Sequence, residues 1–491
     1  MTRISYRARA FCGAPTDFFT PTALLLILGL ALLSQVSSIW IPTRDGVSYL
    51  SIARGIASGE GLFRFGSPHL FFAPGYPALI APAFLFSDQP FLLISFIHWL
   101  LSIAFLCATF GWFKRQMPEH ALLLNALCVA NVSVLYYFRR TLSEAAFMPL
   151  LMCTAVLMDR ALDHAGSAKG FKYLLLAALA GSYLCTVRFV GVTLAAGFAL
   201  MLLLKISNRQ ITVSRATLLA TFGVGLPVAA ALAVMYYDRA MAALSGDHLA
   251  TYTDHFTRHL FTLPERLLTS SRLRIQETGR ILIPGMFKAY GGWLNPAMLL
   301  YVPLFVAVIA GWYRMLWRRP SAMLFAFPFY LALYLIWPFD QGTRFMTPMV
   351  PVLWLALAGL VVDSQWWTQR FSPWLLAGCL ATSVTFFVAD RLEARKTTAY
   401  WKLIETISEV VPKRSRVAFM RTSQAYSASP FSALCLLKFD RRCSEIRALQ
   451  ESEISPRIEY IAVLGPASSV SGFTTVLSQE DLTVLKRDKN H

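Results

Sequence analysis

Arg44 and Asp45 stand directly after the first long apolar run of the chain, in a stretch that also contains His69 and Tyr76. Ionisable side chains at the end of a membrane helix are costly to keep there, so their presence favours a functional site. A carboxylate can act as a general base on a hydroxyl or an amine, and guanidinium groups bind phosphate in a bidentate manner. The stretch therefore predicts a reaction site at a membrane surface.

The composition indicates which elements must position these side chains. The chain has 491 residues, of which 56% are hydrophobic and 15% charged. Such values are typical of a polytopic helical membrane protein and exclude an ordinary soluble domain. A spanning helix needs about 20 apolar residues, and about eleven stretches meet that requirement. These predicted spans are residues 21–40, 90–113, 119–137, 142–159, 172–187, 189–205, 217–237, 293–313, 321–337, 346–362 and 372–389.

Basic residues in the short loops predict the orientation. Cytoplasmic loops carry an excess of Lys and Arg, and the basic residues of these loops fall on one side of the predicted spans. They are Arg3, Arg7, Arg9, Lys114, Arg115, Lys169, Lys172, Arg209, Arg215, Arg314, Arg318 and Arg319. We therefore expect a cytoplasmic N-terminus and, with an odd number of spans, a C-terminus on the opposite side.

The last hundred or so residues differ from the rest, because apolar runs shorten and charges become frequent. A helix is predicted at 404–411 and strands at 416–420, 433–438, 458–464 and 482–485. We therefore expect two domains: a membrane domain at 1–390 with outer loops at 41–89 and 238–292, and a small extracytoplasmic α/β domain at 391–491. Cys435 and Cys443 are spaced to suit a disulfide that closes a hairpin, and two unpaired thiols are the alternative.

Many basic residues on the predicted outer side are not explained by the orientation rule, although the net charge is +18. Almost all of them are arginines, which suit a lipid phosphate or pyrophosphate better than nucleic acid. Contact with anionic lipid headgroups is the alternative for some of them. The set is Arg44, Arg54, Arg64, Arg139, Arg140, Arg188, Arg258, Arg266, Arg272, Arg274, Arg280, Lys288 and Arg344.

Four motifs together carry a family resemblance. They are the run from Arg44 to Tyr49 with the Pro-Gly-Tyr-Pro sequence ending at Pro77, then 140–144, then 186–188, and finally 342–345. In order, spacing and sidedness they resemble GT-C glycosyltransferases that use polyprenyl-phosphate sugars, the superfamily of the protein O-mannosyltransferases and the lipid A aminoarabinose transferases. The chain departs from the relatives that carry Asp-Glu in the first loop, because Gly46 follows Asp45.

The resemblance implies inverting transfer of a sugar from an undecaprenyl-phosphate type donor to an extracytoplasmic lipid, glycan or protein. Asp45 would be the general base, and no metal or other cofactor is expected. Arg188 and Arg344 would bind the donor phosphate, followed by Arg139 and Arg140. Further substrate-binding candidates are Arg44, Tyr49, His69, Tyr76, Glu144 and Tyr252. The implied location is a bacterial inner membrane.

Each of these roles has an alternative in ordinary structure. Asp is a favoured N-cap, so Asp45 could cap the helix that follows it. Arg344 could pair with Asp340, and Glu144 could neutralise Arg140 one helical turn away. The basic, amphipathic segment 260–283 is expected to lie on the membrane interface. A transporter or flippase of an anionic lipid-linked substrate is the alternative function, and a scaffold without activity is a third.

Overall fold

The computed structural model describes residues 21–64, 67–68, 72–245, 263–283, 295–336, 341–361, 372–412, 415, 417–421, 444–445, 459–464, 473–479 and 482–487. Its first helices are α1 (Pro21–Leu33), α2 (Arg44–Ala57), α3 (Gly75–Ile80), α4 (Phe91–Gln116), α5 (Ala121–Val129), α6 (Val132–Arg139), α7 (Glu144–Asp163) and α8 (Ala168–Val187). The later helices are α9 (Val192–Ser207), α10 (Val213–Ala220), α11 (Leu226–Ser245), α12 (Leu263–Leu282), α13 (Pro296–Arg318), α14 (Ala322–Ile336), α15 (Val350–Val361) and α16 (Ser372–Val410).

Seven helices in the described residues are long and apolar enough to cross a membrane, or eight if the bent pair 118–129 and 132–139 is one span. The chain is therefore a multi-pass membrane protein. The predicted number of about eleven spans is not confirmed. Three of the predicted stretches contain helices of only 10–17 residues, at Pro21–Leu33, Ala322–Ile336 and Thr347–Val361, and a helix rises only about 1.5 Å per residue.

Helix α7 lies at the centre of the bundle, since 72% of the residues in its most apolar stretch are buried. It packs on α4 and α8, and α9 in turn packs on α14. The first residue of α7 is Glu144, and Asp163 is its last. This helix therefore carries a buried carboxylate, Glu144, to one end of the bundle.

The two ends of the bundle differ in their residues. At one end α7 begins, α8 ends, and the segment 341–349 leads into α15. At the opposite end lie the short basic connections after α4, α7, α9 and α13. These four connections, which the sequence analysis placed on one side of the membrane, thus lie at the same end of the bundle.

The C-terminal part contains a five-stranded sheet in the order β4-β3-β5-β7-β6. Its strands are β3 (Val417–Arg421), β4 (Ser444–Glu445), β5 (Tyr460–Leu464), β6 (Phe473–Gln479) and β7 (Leu482–Arg487), and β1 (Phe63–Arg64) and β2 (Ser67–Pro68) form a separate pair in the first loop. β3 runs parallel to β4 and β5, whereas β7 is antiparallel to β5 and β6.

Three predicted strands of this part are confirmed, at 416–420, 458–464 and 482–485. The predicted strand at 433–438 lies outside the described residues. The predicted helix at 404–411 is confirmed as far as Val410, and it is the last part of α16, which runs without interruption from the last apolar stretch. A small sheet after a helical membrane part is therefore observed, while the domain boundary at 390 stays a prediction.

Candidate active site

Asp45 lies in the first turn of α2, at the end of the bundle where α7 begins. The N-cap of α2 is Thr43, whose Oγ1 accepts a 3.0 Å hydrogen bond from the Gly46 amide. A Cβ on residue 46 would lie 2.9 Å from the Thr141 carbonyl oxygen. The alternative of Asp45 as N-cap is therefore wrong, and Gly46 lets the first turn of α2 approach the segment before α7 closely.

Glu144 is the point on which two arginines converge. Its side chain is fully buried, and Oε1 accepts hydrogen bonds from Nη1 of Arg188 and Nε of Arg344. Arg188 is the residue after α8 ends, and Arg344 follows the left-handed turn residue Gly342, with φ of +70°. A buried carboxylate is stable only when it is paired, and here two guanidinium groups share it.

Arg344 also reaches Asp45, since its Nη1 donates to Oδ2 of Asp45. The exposed fractions of the side chains decide which group can meet a substrate: 26% for Asp45 and 0% for Glu144. The exposed fractions of Arg188 and Arg344 are intermediate, at 15% and 11%. Asp45 is thus the accessible carboxylate of this four-residue cluster, and Glu144 is its buried anchor.

The electrostatics of the cluster keep both guanidinium groups charged. Burial alone would lower the pKa of Arg188, but the adjacent Glu144 carboxylate and the Tyr334 hydroxyl together outweigh it, and the pKa is raised. Burial also opposes the charge of Arg344, but Glu144, Tyr49 and Asp45 together raise its pKa well above the ordinary value. Both groups are therefore available as fixed positive charges at any physiological pH.

Aromatic hydroxyls and rings surround the cluster. Tyr49 has a pKa raised mainly by burial, and its hydroxyl donates to Ser143 Oγ at 3.1 Å. Tyr334 Oη accepts a 3.3 Å hydrogen bond from Arg188 Nη2. The ring of Tyr334 stacks on Phe345 at 4.2 Å between centroids. These contacts hold the arginines by packing as well as by charge.

Arg274 in α12 is a residue whose place the sequence analysis did not foresee. It is fully buried, lies 4.8 Å from the centroid of Phe345, and pairs with Glu277 at 3.1 Å. The i, i+3 spacing of Arg274 and Glu277 in an amphipathic helix is the signal that could have indicated an inward polar face. Most of the predicted amphipathic segment forms α12, and its charged pair Arg274 and Glu277 is buried. Its location on the membrane interface stays a prediction.

Tyr76 is completely buried and its hydroxyl is already occupied. It is 2.9 Å from His98 Nε2, and His98 Nδ1 is 3.1 Å from the Phe138 carbonyl oxygen. A carbonyl only accepts, so Nδ1 carries the proton and Tyr76 donates to Nε2. Contact of Tyr76 with a substrate stays a prediction, and its observed role is to connect α3 with α4.

Arg139 and Arg140 are turned toward α16, away from the cluster. Arg139 Nε and Arg140 Nη1 donate to Asp390 at 2.9 and 2.7 Å, and Arg140 Nη2 donates to Glu393 at 2.7 Å. The alternative in which Glu144 neutralises Arg140 is therefore wrong. Binding of the donor phosphate by Arg139 and Arg140 stays a prediction, although both guanidinium groups already have carboxylate partners.

Several predicted residues lie outside the described part of the chain. They are His69, Tyr252, Asp340, Cys435, Cys443 and the side chain of Arg44. In the ranges that the structure does describe, no three or more His, Cys, Asp or Glu side chains come together as a metal-binding group. The expectation of a reaction without a metal or cofactor stays a prediction.

Comparison with solved structures shows the fold. The chain is similar to ArnT from Cupriavidus metallidurans in the apo state, with a TM-score of 0.57 and 10% identity over 94% of this chain and 97% of that one. For ArnT bound to undecaprenyl phosphate the values are 0.54, 10%, 96% and 98%. An Archaeoglobus fulgidus oligosaccharyltransferase in complex with Zn and sulfate matches with a TM-score of 0.51 and 12% identity, over 90% of this chain and 68% of that one.

These matches cover nearly the whole chain, so the GT-C fold implied by the resemblance is confirmed. No protein-family model and no curated protein sequence matches the chain. The likeness is therefore one of fold, and what the chain does must be argued from its own residues.

Proposed function

We propose that the chain is a membrane glycosyltransferase, which moves a sugar from a polyprenyl-phosphate donor to an extracytoplasmic acceptor with inversion at the anomeric carbon. The observation that carries the proposal is the cluster of Asp45, Glu144, Arg188 and Arg344 at one end of the helix bundle. It combines an accessible carboxylate with two fixed positive charges. The fold adds support, since an ArnT structure of that fold is bound to undecaprenyl phosphate.

In this proposal Arg188 and Arg344 bind the donor phosphate. The phosphate of a sugar-phosphate diester carries one negative charge and gains a second when the bond to the sugar breaks. Fixed guanidinium groups stabilise the second charge more than the first, and that difference lowers the barrier. Glu144 holds the two arginines in place from behind, because its carboxylate is fully buried and pairs with both.

Asp45 is proposed as the general base. The acceptor oxygen or nitrogen attacks the anomeric carbon, its proton passes to Asp45, and the electron pair of the sugar-phosphate bond stays with the phosphate oxygen. In the structure Asp45 is paired with Arg344. A bound phosphate would compete for the same Nη1 and release Asp45 for the acceptor, so donor binding would prepare the base.

The proposed setting is a bacterial inner membrane with a cytoplasmic N-terminus. The end of the bundle with the cluster would face the periplasm, as would the C-terminal domain after residue 390. The short basic loops at the opposite end support this orientation. Nucleotide sugars are cytoplasmic, so a lipid-linked donor fits a site on the outer side, and no cofactor is needed.

A transporter or flippase of an anionic lipid-linked substrate is the alternative. Transporters place charged side chains near the middle of the membrane, often on broken helices. Here Glu144 is the first residue of α7 and Arg188 follows the last residue of α8. The charges therefore lie at helix ends, where a lipid headgroup and a soluble acceptor can meet, and this position favours the transferase.

The experiment is transfer of radiolabelled sugar from a panel of polyprenyl-phosphate donors into membranes that contain the full-length protein. Asp45→Asn keeps the shape of the side chain but removes the base, and we expect transfer to fall by roughly 10²-fold or more. Asp88→Asn, a change at an exposed residue of the same outer loop, is the matched control and should keep wild-type activity.

A measurement of donor binding beside sugar transfer distinguishes the possible interpretations. Loss of transfer in Asp45→Asn with donor binding intact supports the base. Full activity of Asp45→Asn overturns that role. A wild-type protein that binds donors, transfers nothing across the panel, but moves labelled lipid between leaflets is a flippase, and the transferase proposal then fails.

A further inference from the structure

We propose that the end of the bundle opposite the Asp45 cluster carries a second site, a cleft that binds an anionic phosphate group. The cleft has a volume of about 340 Å³ and lies where α4 and α9 end and where the chain enters α14. Its polar lining is Arg115, Gln116, Lys205, Asn208, Gln210 and Arg319. This site is separate from the proposed transfer reaction and does not depend on it.

Two of the three cations of the cleft have no carboxylate within ion-pair distance among the residues that the structure describes. Arg115 is matched by Asp163, which accepts from both terminal nitrogens, and by the buried Asp159 at 3.8 Å. Lys205 contacts the neutral Gln210 Oε1 at 3.4 Å, and Arg319 donates to the Arg115 carbonyl oxygen at 2.8 Å. Within the described part of the chain, neither Lys205 nor Arg319 forms an ion pair with a carboxylate.

Gln116 is the observation that points to a ligand. Its side chain is 1% exposed, and neither its Oε1 nor its Nε2 has a hydrogen-bond partner in the residues that the structure describes. A buried amide without a partner is costly, and such groups are rare in folded proteins. The orientation rule explains basic loops but not a buried, unsatisfied amide that lines the cleft. Rotation of this side chain would bring Nε2 to the cleft, where a phosphate oxygen would accept from it.

The lining favours phosphate over a carboxylate metabolite or nucleic acid. An arginine and a lysine from different segments, together with amide donors, provide several donors around one small anion. Met201 and Leu204 of α9 supply an apolar wall. Because the cleft lies at the ends of spanning helices, it is at the level of lipid headgroups. The phosphate of an anionic lipid and free phosphate share this chemistry.

The test uses the full-length protein in nanodiscs of phosphatidylcholine, with or without phosphatidylglycerol, and in phosphatidylcholine nanodiscs with added inorganic phosphate. The variant is Lys205→Gln with Arg319→Gln. The matched control is Lys169→Gln with Lys172→Gln, which removes two charges from exposed residues at the same end. The readouts are the thermal unfolding midpoint and the number of phosphatidylglycerol molecules retained in native mass spectrometry.

We expect phosphatidylglycerol to stabilise the wild type and the control, and the cleft variant to bind it roughly tenfold more weakly. If inorganic phosphate stabilises the wild type equally, the site takes free phosphate, and the proposal stands with that source. If the cleft variant and the control respond alike in every arm, the proposal is overturned. Lys205→Gln alone serves the same comparison where the double variant does not fold.

Discussion

The guanidinium of Arg344 donates to the carboxylate of Asp45, although 299 positions separate the two residues in the chain. The proposed base and the proposed ligand of the phosphate are therefore partners of one another. This arrangement has a direct consequence for mutagenesis, because removing the charge of one partner changes what the other can bind.

Asp45→Asn should bind undecaprenyl phosphate more tightly while losing transfer. The substitution removes a carboxylate that competes for Arg344 and also repels the phosphate. We expect the Kd to fall by roughly threefold to tenfold, the range of a single ion pair of this exposure. Equilibrium binding of undecaprenyl phosphate to the purified protein measures it, with Asp88→Asn as control. A higher Kd in Asp45→Asn would show that Asp45 assists donor binding, and the competition argument would be wrong.

Glu144→Gln should destabilise the protein and make its stability dependent on the donor. The change leaves Arg188 and Arg344 close together without their shared counter-charge, and breaking a buried pair costs about 3 to 5 kcal/mol. A bound phosphate restores negative charge, so undecaprenyl phosphate should raise the unfolding midpoint more in Glu144→Gln than in the wild type. Equal shifts in thermal unfolding would contradict a phosphate site at these two arginines.

The sequence predicts much of this cluster because each member interrupts apolar sequence at a helix end. Asp45, Arg188 and Arg344 are prominent for that reason. The role of Glu144 at the centre is not predictable, since Arg140 is a plausible partner one turn away in sequence. Its actual partners, Arg188 and Arg344, are 44 and 200 positions away, and such pairings depend on how the helices pack.

Prediction of the fold from the sequence has the same limit, because contacts between distant segments are not visible in it. Apolar length predicts where helices occur, and every predicted span contains a helix. It does not predict where α16 packs, because the ion pairs of Asp390 with Arg139 and Arg140 join residues about 250 positions apart in the chain. Strand β6, the longest of the described strands, is missed because its pattern is set by its neighbours in the sheet.

Arg140→Gln tests whether Arg140 serves the fold or the donor. The structure pairs Arg140 with the buried Asp390 and the half-exposed Glu393. We expect a loss of about 3 kcal/mol in stability, because a buried carboxylate loses part of its compensation, with KM for the donor changed less than about twofold. Glu393→Gln is the matched control and should cost about 0 to 1 kcal/mol. A large rise in KM without destabilisation would assign Arg140 to the donor phosphate.

Donor binding should not weaken at alkaline pH through the arginines. Their folded-state pKa values are raised, so the stability they contribute is fully present below the ordinary value and is lost only as pH rises through the folded value. That window lies far above the physiological range. We expect the Kd for undecaprenyl phosphate to stay within about twofold between roughly pH 8 and 10. A tenfold rise in this interval would show that another, titrating group binds the phosphate.

Arg344→Lys should lower kcat far more than it lowers stability. The two nitrogens Nε and Nη1 of Arg344 reach Glu144 and Asp45 separately, and the single ammonium of lysine cannot occupy both positions. The positive charge next to Glu144 is retained, so folding should be largely preserved. Stabilisation of the leaving phosphate depends on geometry, and loss of one positioned donor costs about 10²- to 10³-fold in kcat. Steady-state transfer kinetics and thermal unfolding measure the two effects, and Arg391→Lys, at an exposed arginine of α16, is the control. Unchanged kcat in Arg344→Lys would mean that any positive charge suffices there, and the bidentate phosphate role would be wrong.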